Sequence, residues 1–535
     1  MLDSNFISQL ETEETVIMDL KNFTFDELSK LGRTAWRHSD WRALQLIVKV
    51  MRSKRDHQAE TEFLQGLATK NISGSSTAIR SFKSGLNLDD SRHDCAIELT
   101  AAYAANGENA KAFELLTRYE NKLSNSPIYL NMAGTTYITL GLPAKAFPLY
   151  QGAHNLQPEV QLFKENLASC ATFIGKLELA IKLYEELLSL NPNHQRNLYQ
   201  LSRLVKATDT GLIERIQKSI VAHANDITQN IFGYYALAKQ YEDLEEWDLA
   251  FDQLMMGAKA VSAAAPHDVS TDIDILKTAR ATARPISTGA GSSITSAQCP
   301  IFIIGLPRTG TTLLEHLLAS HSLIETLGET NAIEAGILEL TGNRGKRLTA
   351  DILEEASSLS PRALRNHYLD ATQFRLEGLP FFIEKMPTNY QYLHLIANAF
   401  PEAKIILINR HPIDACFAMF KQLFTYAFRF TYSLEHLKNY YGEYQKAQAL
   451  WRQLYPQQIV EVSYESLVTE TQTCLEALFS GMGLDFESSI LSKQQDPFES
   501  MTASSIQVKN EISTESIGRW EAYRKHLTPI IDLEI

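Results

Sequence analysis

At 535 residues, with 44% hydrophobic and 21% charged residues, the chain is too long for one core and has the composition of soluble globular proteins. That balance argues against a disordered or a membrane-embedded class. A formal net charge of −13 sets the chain as a whole against nucleic acid and anionic membrane surfaces, so any anionic ligand requires a locally basic pocket.

The first stretch, MLDSNFISQLETEETVIMDL, is acidic and has neither a basic leader nor a continuous apolar run. With no later run of bilayer length, a cytoplasmic protein without a membrane span is expected. The five cysteines, Cys95, Cys170, Cys299, Cys416 and Cys474, are scattered without metal-ligand spacing, which reads as reduced, packed thiols. No metal site is expected.

From Phe23 to about Ala263 the chain repeats itself. Ala78, Ala112, Ala146 and Ala180, each followed by a larger apolar residue, recur every 34 residues, and Gly107, Gly141 and Gly175 keep the same step, as do Pro158 and Pro192. A small residue where two helices cross, a glycine in the turn between them and a proline after the second is the tetratricopeptide pattern. It extends weakly to Ala43 beside Trp41 and to Tyr241, Ala250 and Phe251, which predicts six or seven helix pairs, with a degenerate unit near 198–231. Such an array offers a concave surface for a peptide or protein partner. The alternative is a spacer or a dimerising element.

Residues 264–298, rich in Ser, Thr, Gly, Ala and Pro, carry no sustained amphipathic period and are expected to be a linker outside both cores. The remaining domain, 299–535, opens with PIFIIGL, a β-branched run that predicts a strand buried on both faces. PRTGTT and the helical LLEHLLAS follow it. Strand, glycine-bearing turn and helix N-terminus in that order make an anion cradle. Read as a nucleotide loop, Gly305 to Thr312 has the spacing G-x-x-x-x-G-T-T but carries Thr311 where a nucleotide hydrolase places lysine, which argues against a kinase or ATPase. Arg308 supplies a planar, permanently charged donor instead.

Pro307 to Thr312 resemble the first signature of the sulfotransferase superfamily, in particular of its tyrosylprotein sulfotransferase-like branch. The resemblance implies that Arg308, Thr309, Gly310, Thr311 and Thr312 hold the 5′-phosphosulfate of 3′-phosphoadenosine 5′-phosphosulfate. The second family signature is a strand ending in an arginine, followed by a helix. EAKIILINRHPIDACFAMFKQLF fits it, which implies Arg410 as ligand of the donor's 3′-phosphate; Ala418 stands where the family has a serine. In LGETN, Glu329 matches the family's catalytic glutamate, with Asn331 in place of an arginine. Glu329 capping the following helix is the plainer alternative. LPFFIEKMPTNY places Lys385 where the family has a lysine on the leaving oxygen. QQIVEVSYESLV resembles the family's strand plus Y-E element, which implies Tyr464 near the adenine or phosphate; TASSIQVKNEISTESIGRW resembles its C-terminal element, which implies Ser504 and Arg519 on the donor's phosphates, with Lys509 adding charge. His394 and His411 stand as alternative bases, with a structural or local electrostatic role beside Pro412 as the first reading of His411.

The reading is therefore an all-α tetratricopeptide-type solenoid (23–263), a linker (264–298) and a three-layer α/β P-loop-like domain (299–535). Its mainly parallel sheet has strands near 300–306, 380–384, 403–409 and 458–463. The expected activity is sulfuryl transfer without a metal, with Glu329, Lys385 and Arg308 catalytic and a protein or peptide tyrosine as acceptor. Sulfation of a glycan, lipid or small metabolite, or a nucleotide-binding scaffold without turnover, are the alternatives.

Overall fold

A computed structural model describes residues 13–54, 58–123, 125–286, 298–424, 427–492, 499–502 and 512–534. Ser504 and Lys509 lie outside the described residues. The chain divides into two compact units, Met1–Phe163 and Lys164–Ile535.

The predicted repeat is helical throughout the described residues. In the first unit the pairs are Phe25–Arg37 with Trp41–Lys54, Ala59–Ser73 with Ser75–Leu88, His93–Ala105 with Asn109–Tyr119, and Pro127–Thr139 with Pro143–Leu156. The periodic alanines Ala78, Ala112, Ala146 and Ala180 are all fully buried, because a methyl is the largest group the helix crossing admits. Gly107, Gly141 and Gly175 adopt φ of +72°, +75° and +84°, the left-handed turn a side chain resists. The helices Pro143–Leu156 and Leu177–Leu190 stop two residues before Pro158 and Pro192.

In the second unit the pairs continue as Gln195–Leu204 with Gly211–Ala222 and Ile231–Asp243 with Trp247–Ala264. The unit near 198–231 is irregular as expected: its helices are short and a 3-10 turn, Ile227–Asn230, precedes the next pair. The expected linker is a correction. Residues Ser270–Thr282 form a helix with Asp272, Ile275, Leu276 and Ala279 buried, and it is tied to the α/β domain by ion pairs of Arg280 with Glu443 and of Asp272 with Arg347. Its apolar positions are few but fall on one face, enough to seat a helix on a neighbouring core.

Five parallel strands follow: β1 Cys299–Ile304, β2 Ile324–Thr326, β3 Phe381–Glu384, β4 Lys404–Asn409 and β5 Ile459–Ser463, in the order β2-β3-β1-β4-β5. β2, only three residues long, escaped the sequence reading. Side-chain alternation produces three layers. Ile301, Ile303, Ile383, Ile406 and Ile408 face one core with Leu314, Leu317 and Phe479 of the helices Thr311–Ala319 and Thr471–Met482. Phe302 and Phe382 face the other: Phe382 stacks on Tyr368 of the helix Pro361–Thr372, and Phe302 packs at a tilt against Tyr368 and Phe400. Because β1 runs on towards β2 on one side and β4 towards β5 on the other, the crevice outside their adjacent carboxyl ends is the topological switch point where such sheets bind ligands. No helix among the described residues is long and apolar enough to cross a membrane. All five cysteines are free thiols.

Candidate active site

The loop after β1 is shaped by contacts that forbid other residues. A Cβ on Gly305 would come within 2.8 Å of the Ile408 carbonyl oxygen, so glycine is what lets β1 and β4 approach. Gly310 has φ +97°, and a Cβ there would stand 2.4 Å from Cδ2 of Tyr464, whose ring packs directly on the loop. Thr309 Oγ1 donates to the Leu306 carbonyl at 2.7 Å and closes the turn. Thr311 begins a helix whose N-cap, Gly310, offers no side-chain oxygen, so the first backbone N–H groups stay directed at the loop. Thr309, Thr311 and Thr312 are buried, and Thr312 Oγ1 lies 3.3 Å from Thr502 Oγ1.

Arg308 sits in this loop with φ +68°, an uncommon conformation for a residue with a side chain and one that marks functional turns. Burial and the neighbouring guanidinium groups of Arg410 and Arg203 pull its pKa down to about 10, so positive charge is concentrated here in a chain that is acidic overall. Arg203 comes from the repeat helix Gln195–Leu204.

Arg410 follows β4. Its Nη1 donates to the Arg308 carbonyl at 3.0 Å, Nη2 donates to the Ser516 carbonyl at 2.5 Å, and the guanidinium lies 4.7 Å from the centre of the Tyr464 ring. Nε is buried and has no hydrogen-bond partner among the described residues. A fixed cation with a donor to spare, at the switch point of the sheet, suits a bound anion. Tyr464 thus lies between Gly310 and Arg410, and its hydroxyl is 2.5 Å from Ser516 Oγ. Ser516 was not singled out from sequence; it gives its carbonyl to Arg410 and its hydroxyl to Tyr464.

Glu329 and Lys385, 56 residues apart, meet: Lys385 Nζ donates to Glu329 Oε1 at 2.5 Å. Glu329 is not a helix cap, since Asn331 takes the N-cap position of the helix Ala332–Leu340 and Thr330 Oγ1 accepts from the Ala332 N–H. Two further carboxyls went unrecognised in sequence. Glu315, inside the apolar run LLEHLLAS, places Oε2 3.6 Å from Lys385 Nζ; burial pushes its pKa up while Lys385 draws it down. Glu384, the last residue of β3 and next to Lys385, is pushed up to about 7 by burial; its Oε1 accepts from Asn389 Nδ2 at 3.2 Å.

Two expectations are corrected, and the structural reading of His411 holds. Arg519 Nε donates to Glu242 Oε1 at 3.0 Å and its guanidinium lies over Trp247, so its charge is committed to the repeat helices and not to the phosphate loop. His394 is a core residue whose pKa is lowered to about 4 by burial, with Nε2 on Thr282, and is no base for this site. His411 is held by stacking on Trp520, while its backbone N–H donates to Glu465.

Residues 300–488 match the model of the Sulfotransferase family, so this segment is a sulfotransferase-family domain. A curated relative, an uncharacterised protein of Aquifex aeolicus strain VF5, is 26% identical over 434 residues, which cover 78% of this chain. The match covers 56% of that relative's length. Among solved structures, the sulfotransferase domain of the Synechococcus PCC 7002 olefin synthase is 18% identical, with 43% of this chain and 90% of that one covered and a TM-score of 0.30. The APC/C hetero-tetramer Cut9-Hcn1 is 18% identical, with 48% and 49% covered and a TM-score of 0.36.

Proposed function

We propose that the chain transfers the sulfuryl group of 3′-phosphoadenosine 5′-phosphosulfate to an acceptor hydroxyl, with a protein or peptide tyrosine as the acceptor. The observation that carries the donor reading is Arg410: a buried guanidinium, bonded to the phosphate loop, packed on Tyr464 and with Nε unspent. It takes the 3′-phosphate. The loop amides with Thr311, Thr312 and Arg308 take the 5′-phosphosulfate.

Transfer requires a base for the acceptor proton and positive charge on the departing oxygen. Glu329, with its side chain 38% exposed, is the member of the pair open to an acceptor, whereas Lys385 is fully buried behind it. The acceptor oxygen gives its proton to Glu329 and forms the new bond to sulfur. The bond from sulfur to the bridging phosphate oxygen breaks, and Lys385 with Arg308 stabilises the charge left on that oxygen. The repeat helices support a polypeptide acceptor, because a surface joined to the site raises the local concentration of whatever it binds.

The test is transfer of labelled sulfate from the donor to a tyrosine peptide library, to oligosaccharides and to lipids, with wild type and Glu329→Gln. Labelling of peptides at tyrosine, lost in the variant, is expected. Labelling confined to sugar or lipid would replace the acceptor while keeping the donor.

A further inference from the structure

Glu242 lies near the C-terminal end of the repeat helix Ile231–Asp243, yet its carboxylate is spent on the sulfotransferase-family domain. Oε1 accepts from Lys421 Nζ at 2.9 Å and from Arg519 Nε at 3.0 Å, and Oε2 accepts from the Tyr523 hydroxyl at 3.0 Å. Burial alone would raise this carboxyl; the Lys421 and Arg519 charges instead hold it at about 2. A carboxylate enclosed by two cations and a phenol forms a network that loses far more than one contact when a single member is removed.

The groups Glu242 grips lead directly to Arg410. Arg519 stands three residues beyond Ser516, whose carbonyl accepts from Arg410 and whose hydroxyl meets Tyr464. Between them Gly518, at φ +67°, makes the tight turn and donates its N–H to Asp414 Oδ2 at 2.8 Å, while Asp414 Oδ1 is 3.8 Å from Arg410 Nη2. Lys421 is the C-cap of the helix Pro412–Phe420, which starts two residues after Arg410. Glu242 therefore holds both the turn that covers Arg410 and the far end of the helix that follows it.

We propose that Glu242 is a positioning residue for donor binding: through Arg519, Tyr523 and Lys421 it fixes the Ser516–Gly518 turn against Arg410, which makes this repeat helix a working part of the donor site. The inference rests on the reading of Arg410 as ligand of the 3′-phosphate. Its consequence is specific, because loosening that turn weakens the hold on a 3′-phosphate and leaves the 5′-phosphate loop in place.

The experiment is calorimetric titration of the full chain, as wild type, Glu242→Gln, Glu242→Asp and Arg519→Gln, with 3′-phosphoadenosine 5′-phosphate and, separately, with adenosine 5′-phosphate. Wild type should prefer the 3′-phosphorylated nucleotide. Glu242→Gln and Arg519→Gln should lose about tenfold or more in affinity for that nucleotide, in the range of ordinary coupling between sites, with little change for adenosine 5′-phosphate and partial recovery in Glu242→Asp. Should Glu242→Gln fail to fold, Arg519→Gln carries the test, since it leaves the Glu242–Lys421 pair intact. Equal weakening for both nucleotides, or an unchanged preference in folded variants, overturns the inference while leaving the donor reading standing. Absence of any 3′-phosphate preference in wild type removes the donor reading, and this inference with it.

Discussion

Lys385 and Glu329 form an ion pair of 2.5 Å in which the ammonium is fully buried and the carboxylate is 38% exposed. Burial makes Lys385 dependent on its partners, and Glu315 at 3.6 Å is the second of them. The outer carboxylate can accept a proton without leaving the lysine unbalanced, since Glu315 remains. Glu329→Gln should therefore fold normally, keep its affinity for the donor product and lose transfer activity by about a hundredfold or more, the usual contribution of a general base. Steady-state rates beside nucleotide titrations check this; an unchanged rate would return Glu329 to a structural role.

Removing the cation should behave differently. Lys385→Met leaves the carboxyls of Glu315 and Glu329 facing each other, with Glu315 already raised by burial. A loss of stability of about 3–5 kcal/mol is expected, as for other buried pairs broken on one side. Denaturant unfolding of Lys385→Met beside the double variant Lys385→Met/Glu315→Gln measures it, with the second change restoring part of the loss.

Glu384 gives a pH signature. Its carboxyl is raised from an ordinary 4.5 to about 7, so the folded chain holds a proton that the unfolded chain releases. The stabilisation from this group is complete below about 4.5 and is lost as pH rises through about 7, a change on the order of 3 kcal/mol. Relative to wild type, Glu384→Gln should gain stability as pH rises across that window and match it at the acid end. Parallel unfolding curves at every pH would contradict the assignment.

Gly310 joins positive φ to direct contact with Tyr464. Gly310→Ala must both strain the backbone and push the Tyr464 ring off the loop, at a cost of about 1–3 kcal/mol. Because that ring also lies under Arg410, the variant should lose donor-product affinity by more than its stability loss suggests. Thermal melts and titration on the same preparation separate the two.

Residues 158–535 should fold as an independent unit, whereas 299–535 should not. The shorter fragment exposes the partners of Glu242 and also Lys525, whose Nζ donates to Asp248 of the helix Trp247–Ala264, and it strips the helix Ser270–Thr282 from its seat. Cooperative melting of the longer fragment and aggregation of the shorter are the expected results.

Much of this was legible in the chain. The 34-residue step located the helix pairs because small residues at crossings and glycines in turns have no substitutes, and four of the five strands are apolar, mostly β-branched runs next to recognisable turns. The loop and Arg410 stand out in the sequence because their motifs are local, and the structure brings the two together. Among the charged residues, what escaped has one physical cause: a charged residue is read as solvent-facing unless its partner is visible, and the partners are distant. Glu315 and Glu384 look like interruptions in apolar runs until Lys385 and Tyr368 are placed beside them. Arg519 reads as a phosphate ligand until Glu242, 277 residues earlier, is found on its Nε. The helix Ser270–Thr282 was hidden because its few apolar positions suffice only when a neighbouring core is already there.

The most direct test of the account is calorimetric titration of 3′-phosphoadenosine 5′-phosphate into wild type and Arg410→Ala. Binding by the wild type that falls by at least about tenfold in the folded variant, as expected when a charged hydrogen-bonding partner of a phosphate is removed, is the predicted result. No binding by the wild type, or equal binding by both proteins, would contradict it.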